Sequence, residues 1–245
     1  MHDMARETSL MLQRLVDEWG EVKTALGRLN STATVRPENG WNVFRAVPGT
    51  AGEVVGFDFG PVVFNVPERA TDVSANLFVA VAGRLAFRRS EFNTEKVLVT
   101  DSFTTKAAYF RKKNDNADHI YGVHYDFALD ELGHPVFHCQ MRNYPEMWAS
   151  VNKHYGIDGH VTDCLNGILK TVRVPTAQMD VFSFFLQLCA DHLLFRNSGR
   201  DERVAFNSLV EKSSFIRGAG YRAARLTSGA AGSCYRACHW YAVVV

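Results

Sequence analysis

Apolar residues recur at helical spacing near the start of the chain. Leu12, Leu15, Val16, Trp19, Val22 and Leu26 fall on one face of residues 7–29, which predicts an amphipathic helix. Asn30, Ser31 and Thr32 end it. Residues 35–72 are rich in Gly and Pro, with apolar stretches at 41–44 and 54–59, and are expected to form short strands or loops. The period then changes from helical to two. Across 75–89, Leu77, Val79, Val81, Leu85 and Phe87 share one face; Asn76, Arg84 and Arg88 take the other, with Phe78 out of pattern. Period two is the strand signal.

Residues 95–112 continue as a strand through Val97, Val99, Phe103 and Tyr109, with a bend near Asp101 and Ser102. A polar turn cluster occupies 112–116. Two more strands are expected at 119–127 and 135–142, while 145–172 shows no clear period. Pro175 and Thr176 open a helix to about Arg196. Its stripe is Met179, Phe182, Phe185, Leu186, Cys189 and Leu193, and Thr176 is its expected N-cap. A shorter helix is expected over 201–213, and 233–245 can supply a last strand. No internal repeat or long linker divides the chain.

This order of elements predicts an α+β fold: a mostly antiparallel β-sheet meander flanked by an N-terminal helix and C-terminal helices, in one domain over 1–245. A doubly wound parallel sheet would need helices between successive strands, and 75–142 offers none.

Composition narrows the class of molecule more than its function. At 245 residues, 47% hydrophobic and 22% charged, the chain is an ordinary globular one. Its 27 basic and 26 acidic residues nearly cancel, so a basic site must come from local patterning. No apolar run is long enough to span a membrane, and the start lacks a secretory apolar core; the expected location is the cytoplasm, with no membrane contact. The five cysteines (139, 164, 189, 234 and 238) are odd in number and scattered, which fits reduced thiols. Cys234, Cys238 and His239 make at most half of a zinc site. Neither a Gly-rich phosphate loop nor Gly-x-Ser-x-Gly occurs. Nucleotide-driven motors, dinucleotide dehydrogenases and common serine hydrolases are therefore disfavoured, and no cofactor is implied.

The pair of strands at 119–142 carries the best local chemistry. Odd positions in both are largely apolar, whereas even positions hold His124 and Asp126 in the first and His138, Gln140 and Arg142 in the second. The apolar faces must lie on one side, so even residues share the other. A turn centred near Glu131 would put His124 directly opposite His138, with Cβ atoms about 4.5–5.5 Å apart. Three uses fit such a group. The two imidazoles can act as general base and acid with Asp126 orienting one; the three residues can ligate a divalent metal; or they can form a satisfied polar network without chemistry. Arg84, Arg88 and Lys106 belong to the polar faces of the preceding strands. With Gln140 and Arg142 they would suit an anionic group such as a phosphodiester, or simply a solvated sheet face.

Weaker signals accompany these. Arg88-Arg89, residues 109–113 and residues 215–222 interleave basic and aromatic side chains, a pattern that binds single strands or merely covers surface. Asp191 and His192 can reach the polar face only if their helix covers it.

Three functions follow as expectations. The first is a nucleic-acid-processing enzyme acting on phosphodiesters through His124, His138 and Asp126, with Arg84, Arg88, Lys106, Gln140 and Arg142 binding substrate and no metal. The second is a non-catalytic subunit of a bacterial assembly that binds nucleic acid or a protein partner. The third is a metal-dependent hydrolase built on the same three residues.

Overall fold

The computed structural model describes residues 2–29, 34–37, 43–48, 52–66, 77–95, 97–113, 116–127, 135, 137–155, 171–194, 198–213 and 215–217. In chain order the elements are α1 (His2–Leu29), β1 (Thr34–Pro37), β2 (Phe44–Ala46), β3 (Val54–Val66), β4 (Leu77–Arg88), α2 (Arg89–Glu95), β5 (Leu98–Lys113), β6 (Asn116–Phe127), β7 (Phe137–Arg142), a 3-10 turn (Pro145–Met147), α3 (Trp148–Tyr155), β8 (Arg173–Pro175), α4 (Val181–His192), α5 (Arg200–Ser213) and β9 (Ile216–Arg217).

The strands pair in the order β1-β3-β4-β5-β6-β7-β8, all antiparallel, with β2 also on β3 and β9 parallel to β5. The α+β fold with an antiparallel sheet, an N-terminal helix and C-terminal helices is thus present. Consecutive strands are neighbours from β3 to β8, which is the meander that the period-two stretches predict.

One face of the sheet builds the main core. Leu77, Val79, Val81, Leu85 and Phe87 of β4 point there together with Phe57, Phe59 and Phe64 of β3. Helix α1 covers them with Met11, Leu15, Trp19, Val22 and Leu26, and α4 with Val181, Phe182, Phe184, Phe185 and Leu188. Trp19 meets Phe59 and Phe185 edge-on, with ring centroids 5.1 and 5.2 Å apart, a favoured aromatic geometry. The start of α1 is tied down by buried Arg89, which donates to Met4 O at 2.7 Å, to Glu7 Oε2 at 3.1 Å and to Gly52 O at 3.0 Å.

A second, smaller core lies on the opposite face and explains the misfit of Phe78. Phe78, Ala80, Ala108, Phe110 and Val63 are covered there by Tyr144, Met147, Trp148 and Val151. Among the described residues this cluster closes one end of the polar face. The Phe-rich helix α4 lies on the other side, so it leaves the histidine face alone.

Several elements differ from expectation. Strand β3 runs for 13 residues and does not stop near 59. Its register shifts between Phe59 and Val62, where Gly60 has φ +74 and precedes a cis proline. A side chain at Gly60 would start 2.5 Å from Val81 O, so only glycine carries the strand through this bulge. The bend expected near Asp101 is also a bulge, since Ser102 pairs with Ala86 and Thr100 with Phe87.

Helix α4 begins later than Thr176. The backbone N–H of Thr176 donates to Phe137 O at 3.0 Å, and Pro175 belongs to β8. The N-cap is Asp180, which accepts from the amides of Phe182 and Ser183 at 3.0 and 3.2 Å. A buried carboxylate that satisfies two orphan helix amides outcompetes a threonine four residues earlier. Helix α3 arises where no period was visible. The expected strand at 233–245 and the Cys234, Cys238 and His239 group lie outside the described residues.

Candidate functional site

Strands β6 and β7 pair His124 with Gln140 and Asp126 with His138. His124 is therefore not directly opposite His138. A slip of two residues leaves every side chain on its own face, so the apolar pattern that fixes the face cannot detect it. The consequence is chemical, because the carboxylate now lies between the imidazoles. The Nε2–H of His124 donates to Asp126 Oδ2 at 2.6 Å, and His138 Nδ1 lies 2.8 Å from Asp126 Oδ1. The two rings are 6.4 Å apart at their centroids. A carboxylate only accepts, so the bond to Oδ2 places the His124 proton on Nε2.

Burial differs across the three. The His138 side chain is 2% exposed, His124 15% and Asp126 27%. Burial pushes the Asp126 carboxyl up, but the bonds and positive charge of His124 and His138 outweigh it and hold the group well below the ordinary carboxylate range. Among the described residues His124 Nδ1 is buried and has no hydrogen-bond partner. It is the nitrogen of that ring not committed to Asp126.

The polar face continues across the sheet. Asp126 pairs with Thr104 and His124 with Lys106 on β5; Thr104 pairs with Arg84 and Lys106 with Ala82 on β4. Arg84 pairs with Asp58 on β3, and Asp58 with Arg45 on β2. These rows border an open cleft of about 410 Å³ lined by Arg45, Asp58, Arg84, Thr104 and Lys106 above Gly60, Pro61, Ala82 and Gly83. Arg84 Nε donates to Asp58 Oδ1 at 2.7 Å. Lys106 Nζ sits 5.8 Å from the centre of the Tyr144 ring, within cation–π range. That ring packs against Gly122, where a Cβ would lie 2.9 Å from Tyr144 Cδ2.

The residues singled out in the sequence divide into three groups. His124, Asp126 and His138 come together, and Arg84 and Lys106 line the adjoining cleft. Gln140 and Arg142 flank His124 on β7, with Arg142 Nε donating to Gln140 Oε1 at 3.1 Å. Arg88 stands apart, bonded to Asp101 Oδ1 at 3.1 Å at the β5 bulge, and is not among the cleft residues. Arg45, Asp58 and Thr104 were not foreseen. Arg45 and Asp58 sit in short apolar stretches with no visible partner, and only the register of β2, β3 and β4 brings them to Arg84.

The other signals fall elsewhere. Asp191 and His192 close α4 on the opposite face, with His192 6.4 Å from Tyr109 at the ring centroids. Arg89 is spent on anchoring α1. Among the described residues no three His, Cys, Asp or Glu side chains are disposed to hold a metal ion. In the His124, Asp126 and His138 group, the donor atoms face one another and not a common void. No described helix is long and apolar enough to cross a membrane.

Compared with known protein families, with curated proteins and with solved structures, the chain matches none of them.

Proposed function

We propose that this polar sheet face is the site of a phosphodiester-acting, nucleic-acid-processing enzyme. One observation carries the reading: a carboxylate held ionised between two imidazoles borders an open cleft rimmed by Arg45, Arg84 and Lys106. In the proposed roles His124 moves the proton, Asp126 fixes its tautomer and steadies its positive charge, and Lys106 and Arg84 hold phosphate. Nearly buried His138 is a positioning residue: it braces Asp126 and does not meet substrate. Arg142 reaches the same face from the far side of Gln140. Arg88, committed to Asp101, has no part.

Burial of His124 Nδ1 favours a second reading, a non-catalytic nucleic-acid-binding subunit that uses the same cations. Labelled single- and double-stranded RNA and DNA, incubated with and without EDTA, separate the two. EDTA-resistant cleavage that falls by about 10²–10⁴-fold in folded His124→Ala supports the enzyme. Cleavage abolished by EDTA points to metal chemistry instead. Binding without turnover on any substrate leaves the binding subunit.

A further inference from the structure

The cleft beside the histidines owes its shape to short residues. Ala82 pairs with Lys106 and carries only a methyl group between Arg84 and the α3-covered end of the face. Gly60 and Pro61 continue this low floor onto β3. The long polar side chains stand at the rim. The floor thus offers backbone and small apolar groups, while the rim offers three cations against one carboxylate, a net charge of +2.

Asp58 changes what such a rim selects. It binds Arg84 through Oδ1, which leaves Oδ2 as an acceptor on the β3 side of Arg84, while Thr104 pairs with Arg84 on the β5 side. An anion alone gains nothing from a carboxylate. A ligand that carries a phosphate and a hydroxyl-bearing sugar uses every group present. Arg84 and Lys106 are diagonal neighbours on adjacent strands, roughly 7–8 Å apart, close enough for two long side chains to share one phosphate. A volume of about 410 Å³ suits a small ligand and is too small for a duplex.

We infer that the cleft binds a single nucleotide unit, its phosphate shared by Lys106, Arg84 and the Thr104 hydroxyl between them, its sugar hydroxyls on Asp58, and its base over Gly60, Pro61 and Ala82. The inference deepens the phosphodiester reading and rests on it for the choice of a nucleotide. A sugar phosphate presents the same phosphate and hydroxyls without the base, so the probes must separate the two.

The test is calorimetric titration of the full chain with adenosine 5′-monophosphate, ribose 5-phosphate, adenosine and inorganic phosphate, alongside polynucleotide turnover. The expected result is that the mononucleotide binds at least about tenfold more tightly than each of the other three, and that Arg84→Gln and Lys106→Gln each weaken it by about tenfold. Ala82→Leu, which fills the floor, should abolish mononucleotide binding. Asp58→Asn keeps the shape and should narrow the preference for mononucleotide over inorganic phosphate, a readout that stands if the leucine variant misfolds. Inorganic phosphate binding as tightly as the mononucleotide overturns the inference, as does unchanged binding in folded Ala82→Leu. Ribose 5-phosphate binding equally well overturns the base contact and makes the ligand a sugar phosphate. Mononucleotide binding without polynucleotide turnover sinks the enzyme reading alone. Turnover indifferent to Ala82→Leu sinks the cleft assignment alone.

Discussion

Asp126 and His138 are directly paired across β6 and β7, and Asp126 Oδ1 lies 2.8 Å from His138 Nδ1. Because His138 is almost wholly buried, the carboxylate is what makes a proton on that nitrogen tolerable. Asp126→Asn keeps the volume and removes the charge. It should cost about 1–3 kcal/mol at neutral pH, the usual penalty for a buried polar group that loses a charged partner.

The pH dependence of that loss has a definite sign. The carboxyl of Asp126 is held below its ordinary value of 3.8 in the folded state. Its contribution is therefore fully present above that value and is lost as pH falls through the folded value. The gap in urea-unfolding free energy between wild type and Asp126→Asn should shrink as pH falls below about 3.8. A gap that does not change down to pH 2.5 would contradict the ion pair.

Asp180 should behave in the opposite sense. It is buried, and burial pushes its carboxyl up despite bonds from Gln178, Ser183 and Phe182. A raised value means that the folded state takes up a proton more readily than the unfolded chain, so wild type gains stability as pH falls through it. Asp180→Ala leaves two helix amides unsatisfied and should cost about 1–2 kcal/mol. Asp180→Asn keeps an acceptor and sheds the buried charge, so it should cost less. Wild type should gain on it as pH falls, measured by urea unfolding of both variants in parallel.

The legibility of this molecule follows from what periodicity can and cannot encode. Leu77 to Phe87 and His124 to Arg142 announced their faces, since one buried side forces alternation, and the α+β meander followed. Pro175 and Thr176 read as a helix start because β8 is three residues long and carries no period of its own. His124 was placed opposite His138 because a two-residue slip is silent in the pattern, and that slip is what inserts Asp126 between the rings. Arg45 and Asp58 stayed hidden for a different reason: their neighbourhood with Arg84 depends on long-range strand pairing, with Asp58 and Arg84 26 residues apart in sequence, and no local signal reports such a pairing.

Gly60 ties the bulge in β3 to the cleft. With φ +74 and Val81 O 2.5 Å from where a Cβ would stand, Gly60→Ala meets both a left-handed backbone and a backbone clash. The conformation alone costs about 1–2 kcal/mol, and the clash with Val81 O adds to it. Thermal unfolding should show a lowered midpoint. Since Gly60 also floors the cleft, ligand binding at temperatures well below that midpoint should weaken too. A variant as stable as wild type would mean that the bulge can relax without harm.

Salt dependence offers the sharpest test of how much of the polar face meets nucleic acid. For single strands the slope of log affinity against log salt is about −0.7 for each phosphate neutralised. In the proposed pose Lys106 and Arg84 share one phosphate, and Arg45 can take a second. The expected slope is about −0.7 to −1.4. Arg45→Gln should make it shallower by about 0.7 and weaken all sequences alike, since a phosphate contact carries no base information. Arg142→Gln asks whether the strand continues past Gln140: an unchanged slope confines binding to the cleft side of His124, and a shallower one extends the path across β7. Arg88→Gln should leave the slope alone, because that guanidinium is held by Asp101 at the β5 bulge. A slope steeper than about −4 would require six or more phosphates, more cations than the cleft holds, and would place the nucleic acid on a different surface of the protein.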